Sequence, residues 1–147
     1  MRITQRPYQG DHDQALMADL VRAQPQANLH VVDLPYRLSS WAFDDPDNVC
    51  LWENERGEVL AWAVLHAHGI EGQPSGQIEP LGVRADVRGL GLGRAILAEG
   101  LQRLMQIGAG HIFVETDNYR NAAFTLYQAA EFQVVQDVSV YRKDYPS

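Results

Sequence analysis

The spacing of apolar positions changes along the chain and marks out its elements. Residues 2–6 read as a short first strand. Asp11 and Gln14 stand at the spacing of a helix capping box, and Leu16, Met17, Leu20 and Val21 follow on one helical face, so a first helix is predicted over residues 12–23. Pro25 helps to end it. Pro35 and Pro46 interrupt the stretch 27–47, in which 38–43 has the pattern of a short helix. Residues 49–53 and 60–66 read as strands joined by a hairpin turn at Asn54-Glu55-Arg56-Gly57. Residues 67–76, rich in Gly, Pro and Ser, read as a loop. A strand over 77–83 follows, then a helix whose Leu97, Leu101, Leu104 and Met105 form one apolar stripe. Gly108 and Gly110 end that helix. The remainder reads as a strand at 111–115, a helix carrying Tyr127 and capped by Asn118 or Asn121, and strands at 134–137 and 138–143. The order β-α-(α)-β-β-β-α-β-α-β-β describes a mixed α/β sheet with helices on both faces. Pro80 lies inside a predicted strand, where it removes a ladder donor, and Gly82 is placed to mark a bulge.

With 147 residues and no repeat or linker, a single domain over 1–147 is expected. No apolar run reaches membrane-span length, and the N-terminus, Met-Arg-Ile-Thr-Gln-Arg, lacks a signal-peptide stretch, so a cytoplasmic protein with no membrane partner is expected. The single Cys50, in an apolar strand, reads as a packed core thiol. A net charge of −7 argues against nucleic acid as a partner. Yet Arg84, Arg88 and Arg94 cluster locally, which suits a small polyanion.

The chemistry concentrates between Arg88 and Arg94. Here Arg-Gly-Leu-Gly-Leu-Gly-Arg joins a strand to a helix. Backbone N–H groups at a helix N-terminus, with glycines allowing close approach, hold anionic phosphate. A Walker loop requires Lys-Ser/Thr after Gly93, where Arg94 and Ala95 stand. A dinucleotide fingerprint requires unequal glycine spacing, but Gly89, Gly91 and Gly93 are evenly spaced, which disfavours a Rossmann-type nucleotide-binding module. Arg88, Gly91 and Gly93 satisfy Arg-x-x-Gly-x-Gly. That pattern resembles the coenzyme A pyrophosphate loop of the GNAT superfamily of N-acetyltransferases. Residues 115–132, with an Asn-started helix carrying Ala and Leu126-Tyr127 and then Phe132, resemble the family's later motif.

The resemblance implies the GNAT acyl-CoA N-acyltransferase fold, a central, mostly antiparallel sheet flanked by helices. It implies acetyl-CoA as co-substrate and a small-molecule or peptide amine as acceptor. Attack is direct, so no activated Cys or Ser is required. Cofactor contacts carry over to Leu81, Gly82 and Val83 for the pantetheine arm, to Arg88, Gly89, Leu90, Gly91, Leu92, Gly93 and Arg94 for the pyrophosphate, and to Asn118, Asn121, Phe124 and Tyr127 on the arm's other side. In the family the strand at 77–83 splays from its neighbour, which would accommodate Pro80. Tyr127 corresponds to the family's thiolate-protonating tyrosine. A phenol with pKa of about 10 stays protonated at neutral pH and can donate. Glu79, alternating with Leu81 and Val83, and Glu115 at a strand end are alternative bases for the amine proton. Neither is also open, and His66 and His68 are outside candidates. No spacing reads as a metal site.

Two departures stand out. Arg120 occupies the family's asparagine position seven residues before the tyrosine, and Glu131 replaces the glycine before Phe132. Glycine there permits a left-handed helix cap, which Glu adopts only at a cost. A homodimer is compatible with family habit. A non-catalytic acyl-CoA-binding sensor of the same fold is the alternative function. The aromatics Tyr36, Trp41, Phe43, Trp52 and Trp62 are candidates for an acceptor pocket or for the core.

Overall fold

A five-stranded sheet in the order β1-β2-β3-β4-β5 organises residues Met1–Glu115. Its strands are β1 (Ile3–Arg6), β2 (Val49–Asn54), β3 (Val59–Ile70), β4 (Gln73–Val83) and β5 (His111–Phe113). The first four are antiparallel neighbours, and β4 and β5 are parallel. A parallel pair needs a crossover, which helix α2 (Leu92–Gln106) supplies. Helix α1 (Asp11–Arg22) connects β1 to the following segment. The computed structural model describes residues 1–23, 40–70, 72–117, 120–139, 141 and 143–145. Residues Thr116–Ser147 form a second compact unit, with helix α3 (Asn121–Ala129).

The core lies along β3. Leu60, Ala61, Trp62, Ala63, Val64 and Leu65 are all buried, so both faces of the strand are covered. Helix α2 packs on one face through Ile96, Leu97, Gly100 and Leu104. It approaches so closely that a Cβ on Gly100 would lie 3.0 Å from Leu65, and one on Gly76 would lie 2.8 Å from Leu104. Helix α1 and a 3₁₀ turn at Trp41–Asp44 also contact β3.

An ion-pair network ties β1 to α1. The Arg6 guanidinium donates twice to the fully buried Asp13 carboxylate, both at 2.6 Å, and also to Glu53 on β2. Asp13 Oδ2 further accepts the Gln9 N–H at 2.7 Å. Burial pushes the Asp13 carboxyl up, but the Arg6 and Gln9 hydrogen bonds outweigh it and leave the group below the ordinary carboxylate range.

Several expectations change. Gly10, not Asp11, is the N-cap of α1, and Asp13 serves the Arg6 network from inside the first turn. The 67–76 segment is not a loop. β3 and β4 pair through it as far as Ile70↔Gln73, and Gly72 at φ +79° helps to close the hairpin. Gly and Pro weaken a strand in isolation, but continued cross-strand pairing overrides that propensity. β5 stops at Phe113, so Glu115 lies beyond it. The stretches 134–137 and 138–143 form no strand among the described residues, and Val134, Val135 and Val138 are exposed. Alternating apolar residues make a strand only where a ladder partner is in register. Of the predicted 38–43 helix, the described part is the 3₁₀ turn at Trp41–Asp44. Tyr36 lies outside the described residues.

Asp13→Asn removes the charge opposite Arg6 and is expected to lower stability by about 3 kcal/mol in urea unfolding at pH 7. The Asp13 contribution is complete above its unfolded pKa of about 3.9 and is lost as pH falls through its lower folded value. The gap between wild type and variant therefore closes in acid. Cys50 is fully buried, and burial pushes its thiol up to about 11. A thiol reagent at neutral pH should label native protein negligibly and urea-unfolded protein at one site per chain.

Candidate active site

The phosphate-binding candidate is built by the turn between β4 and α2. After Val83 comes a 3₁₀ turn at Ala85–Val87, then Gly89 and Gly91 at φ +81° and +87°. Gly91 is the left-handed N-cap of α2, and no side chain caps the helix. The helix begins at Leu92, so Gly93 lies inside its first turn rather than in the loop. Buried Leu92 anchors this start, while Leu90 points out at 63% exposure. Gly91 O accepts the Ala95 N–H at 3.1 Å, so the N–H groups of Leu92, Gly93 and Arg94 come before the first intrahelical donor and have no acceptor within the helix. The first turn carries no acidic residue. A Cβ added to Gly89 or Gly91 would meet nothing within 4 Å, so the space beside this backbone is open. Oriented donors, the positive end of the helix dipole and open space fit a pyrophosphate.

The three arginines do not act alike. Arg84 is held by Asp86 at 2.7 Å and by Glu58 at 3.3 Å, so it is neutralised locally and leaves the expected basic cluster. Exposed Arg88 donates from Nε to the Val83 carbonyl at 3.1 Å, which places it beside the end of β4. Arg94 is exposed on the first turn of α2.

The second feature is the free edge of β4. Its pairing with β5 covers only Ser75, Gly76 and Gln77. From Ile78 to Val83 that edge has no strand partner among the described residues, and Leu81, Gly82 and Val83 are half-buried. Pro80 sits in this unpaired stretch, where its missing N–H breaks no ladder with β5.

On the β3 side the register is Leu65↔Ile78 and then Ala63↔Leu81. Glu79 and Pro80, joined by a cis peptide bond, therefore oppose Val64 alone in a bulge. The bulge is here, not at Gly82. It breaks the expected alternation: Leu81 returns to the α2 face with Ile78, whereas Glu79 follows Ile78 onto the opposite side. His66, on that opposite side, brings its Nε2 to the Glu79 carbonyl at 2.8 Å. A carbonyl only accepts, so Nε2 carries the proton. The His66 and His68 rings stack with centroids 6.0 Å apart, and Trp41 meets both edge-on. Glu115 is exposed, two residues past β5.

Within Thr116–Ser147, α3 carries Asn121 at its first turn, half-buried Phe124, and buried Tyr127. Arg120, not Asn118 or Asn121, is its N-cap. Asn118 lies outside the described residues. The helix closes in a Schellman motif: Phe132 N–H donates to Tyr127 O and Glu131 N–H to Gln128 O, both at 3.0 Å. The Phe132 and Tyr127 rings meet edge-on at 5.8 Å, the apolar contact typical of this cap. Glu131 takes the left-handed position at φ +66°, so the helix end survives without the glycine.

A mixed sheet with a glycine turn feeding an uncapped helix defines a phosphate-binding type of α/β architecture. The profile of the Acetyltransferase (GNAT) family matches residues 14–132, and the chain belongs to that family. It is 35% identical over 144 residues to a mycothiol acetyltransferase of Nocardiopsis dassonvillei, covering 89% of this chain and 42% of the relative. A mycothiol acetyltransferase of Geodermatophilus obscurus is 30% identical over 128 residues, covering 84% and 42%. The chain thus spans less than half the length of these curated relatives. A transcriptional regulator structure from Bacillus halodurans C-125 shares the fold, with TM-score 0.76 and 18% identity over 97% of this chain and all of that one.

Trp62, a sequence candidate for an acceptor pocket or for the core, lies on β3 opposite Gly82 and is buried. Its pairing with a strand glycine could not be read from the sequence, because the bulge sets the register. For the cap, Glu131→Gly relieves the left-handed strain and should raise stability by about 1 kcal/mol in urea unfolding, with the Tyr127 environment retained.

Proposed function

We propose that the chain transfers an acetyl group from acetyl-CoA to the amine of a small molecule or peptide. The observation that carries this reading is the uncapped, open N-terminus of α2 behind Gly89 and Gly91, adjoining an unpaired β4 edge. The N–H groups at the start of α2, with Arg88 and Arg94, hold the pyrophosphate. The backbone of Leu81, Gly82 and Val83 receives the pantetheine arm in place of a strand, and the family resemblance assigns Asn121 and Phe124 to the same arm. Acetyl-CoA, when bound, supplies an activated acyl thioester. The chain's own groups handle two protons. Glu79 or Glu115 accepts one from the amine, directly or through water, and the Tyr127 hydroxyl gives one to the departing sulfur. Holding both reactants together accounts for much of the remaining acceleration.

The test is CoA release, read with a thiol reagent, from acetyl-CoA and a panel of amino acids, polyamines, aminoglycosides, N-terminal peptides and the amine acceptor of mycothiol acetyltransferases. Amine-dependent release is expected, and Tyr127→Phe should lower kcat by roughly 100-fold. Of Glu79→Gln and Glu115→Gln, the one that removes the acidic limb of the pH–rate profile identifies the base. Binding of acetyl-CoA without release for any amine would favour a sensor of the same fold.

A further inference from the structure

Trp62 carries a polar group that the fold leaves without use. The residue is 5% exposed, and Nε1 is buried with no hydrogen-bond partner among the described residues. Interiors seldom leave a side-chain donor unpaired, because the lost hydration is not replaced. The position of the ring is built rather than incidental. Trp62 pairs with Gly82 across the β3–β4 ladder, and a Cβ on Gly82 would lie 2.4 Å from Cζ2 and Cη2 and 2.8 Å from Cε2. The six-membered ring thus occupies the space of a side chain at position 82. Nε1 is bonded to Cε2, so the N–H belongs to the edge of the indole that lies against Gly82. Gly82 itself is half-buried in the stretch of β4 whose other edge has no strand partner among the described residues.

Two independent features therefore meet at one place: an unpaired backbone edge and a buried donor with no acceptor. We propose that the Trp62 indole N–H is a ligand-binding donor, which engages a carbonyl oxygen of acyl-CoA lying along Leu81–Val83. The inference rests on the acetyl-CoA reading above and adds a residue to it. The chemical class follows from the donor. An indole N–H can only donate, so the ligand must present an acceptor, and an arm laid along a strand edge offers amide and thioester carbonyls. A small tilt of the ring on Gly82 delivers the N–H. Glycine at 82 permits this movement, whereas any side chain there would collide with the ring.

The experiment is a ¹H–¹⁵N correlation spectrum of the full chain, titrated with CoA and with acetyl-CoA. The three indole signals, from Trp41, Trp52 and Trp62, are assigned by Phe substitution. The Trp62 indole proton should move downfield at saturation. A shift with both ligands assigns a pantetheine amide as the acceptor, and a shift with acetyl-CoA alone assigns the thioester. Movement of the Gly89, Gly91 and Gly93 amides with no change at Trp62 would overturn this inference and leave the acetyl-CoA reading intact. Movement of neither would overturn both. In parallel, Trp62→Phe keeps a ring on Gly82 and removes the donor, so acetyl-CoA affinity by calorimetry should fall roughly 3- to 10-fold. A purely structural tryptophan would lower the unfolding temperature and leave that affinity unchanged.

Discussion

The pairing of β3 with β4 is the constraint on which the rest of the structure depends. It is the longest ladder in the sheet, running from Ala61↔Val83 to Ile70↔Gln73 with one irregularity. β3 is buried on both faces, so its register cannot slip without turning apolar side chains into water. Helix α2 is fixed on this ribbon through Leu65, Ile78 and Leu104, at a closeness that Gly76 and Gly100 allow. The N-terminus of α2 is thereby held next to the end of β4, and the oriented donors of the glycine turn need no side chain to position them.

The bulge at Glu79–Pro80 divides β4 into two working parts. Before it, Ser75, Gly76 and Gln77 complete the sheet by pairing with β5. After it, the strand remains attached to β3 but has no strand partner on its other edge among the described residues. The extra residue also changes which side chains share a face. Glu79 is turned toward the His66 side, Leu81 returns toward α2, and Gly82 lies under Trp62. Ladder bonds of the second part are thus made on the β3 edge, and among the described residues no strand adds to the other.

Local electrostatics distinguishes the arginines of the first unit. Arg6 and Arg84 are both consumed, the first by Asp13 and Glu53 and the second by Asp86 and Glu58. Arg94 is exposed beside the uncapped helix, and Arg88 keeps an exposed guanidinium while bonding Val83 O. Sequence proximity grouped Arg84 with these two, but a nearby carboxylate in the fold changed its role.

The sequence by itself determined the elements whose signals are local. Helical periodicity located α1 and α2, the Asn54–Gly57 turn located the β2–β3 hairpin, and the Arg-x-x-Gly-x-Gly turn located the phosphate-binding candidate. It also marked position 131 as a left-handed cap, because that conformation is set by the backbone within one helix end. What only the tertiary structure decided is non-local. The reach of the β3–β4 ribbon through a Gly- and Pro-rich stretch, the face on which Glu79 lies and the placing of Trp62 on Gly82 all follow from cross-strand register. Register is fixed by burial on both faces of β3 and by one inserted residue in β4, and neither can be read from the period of a single strand.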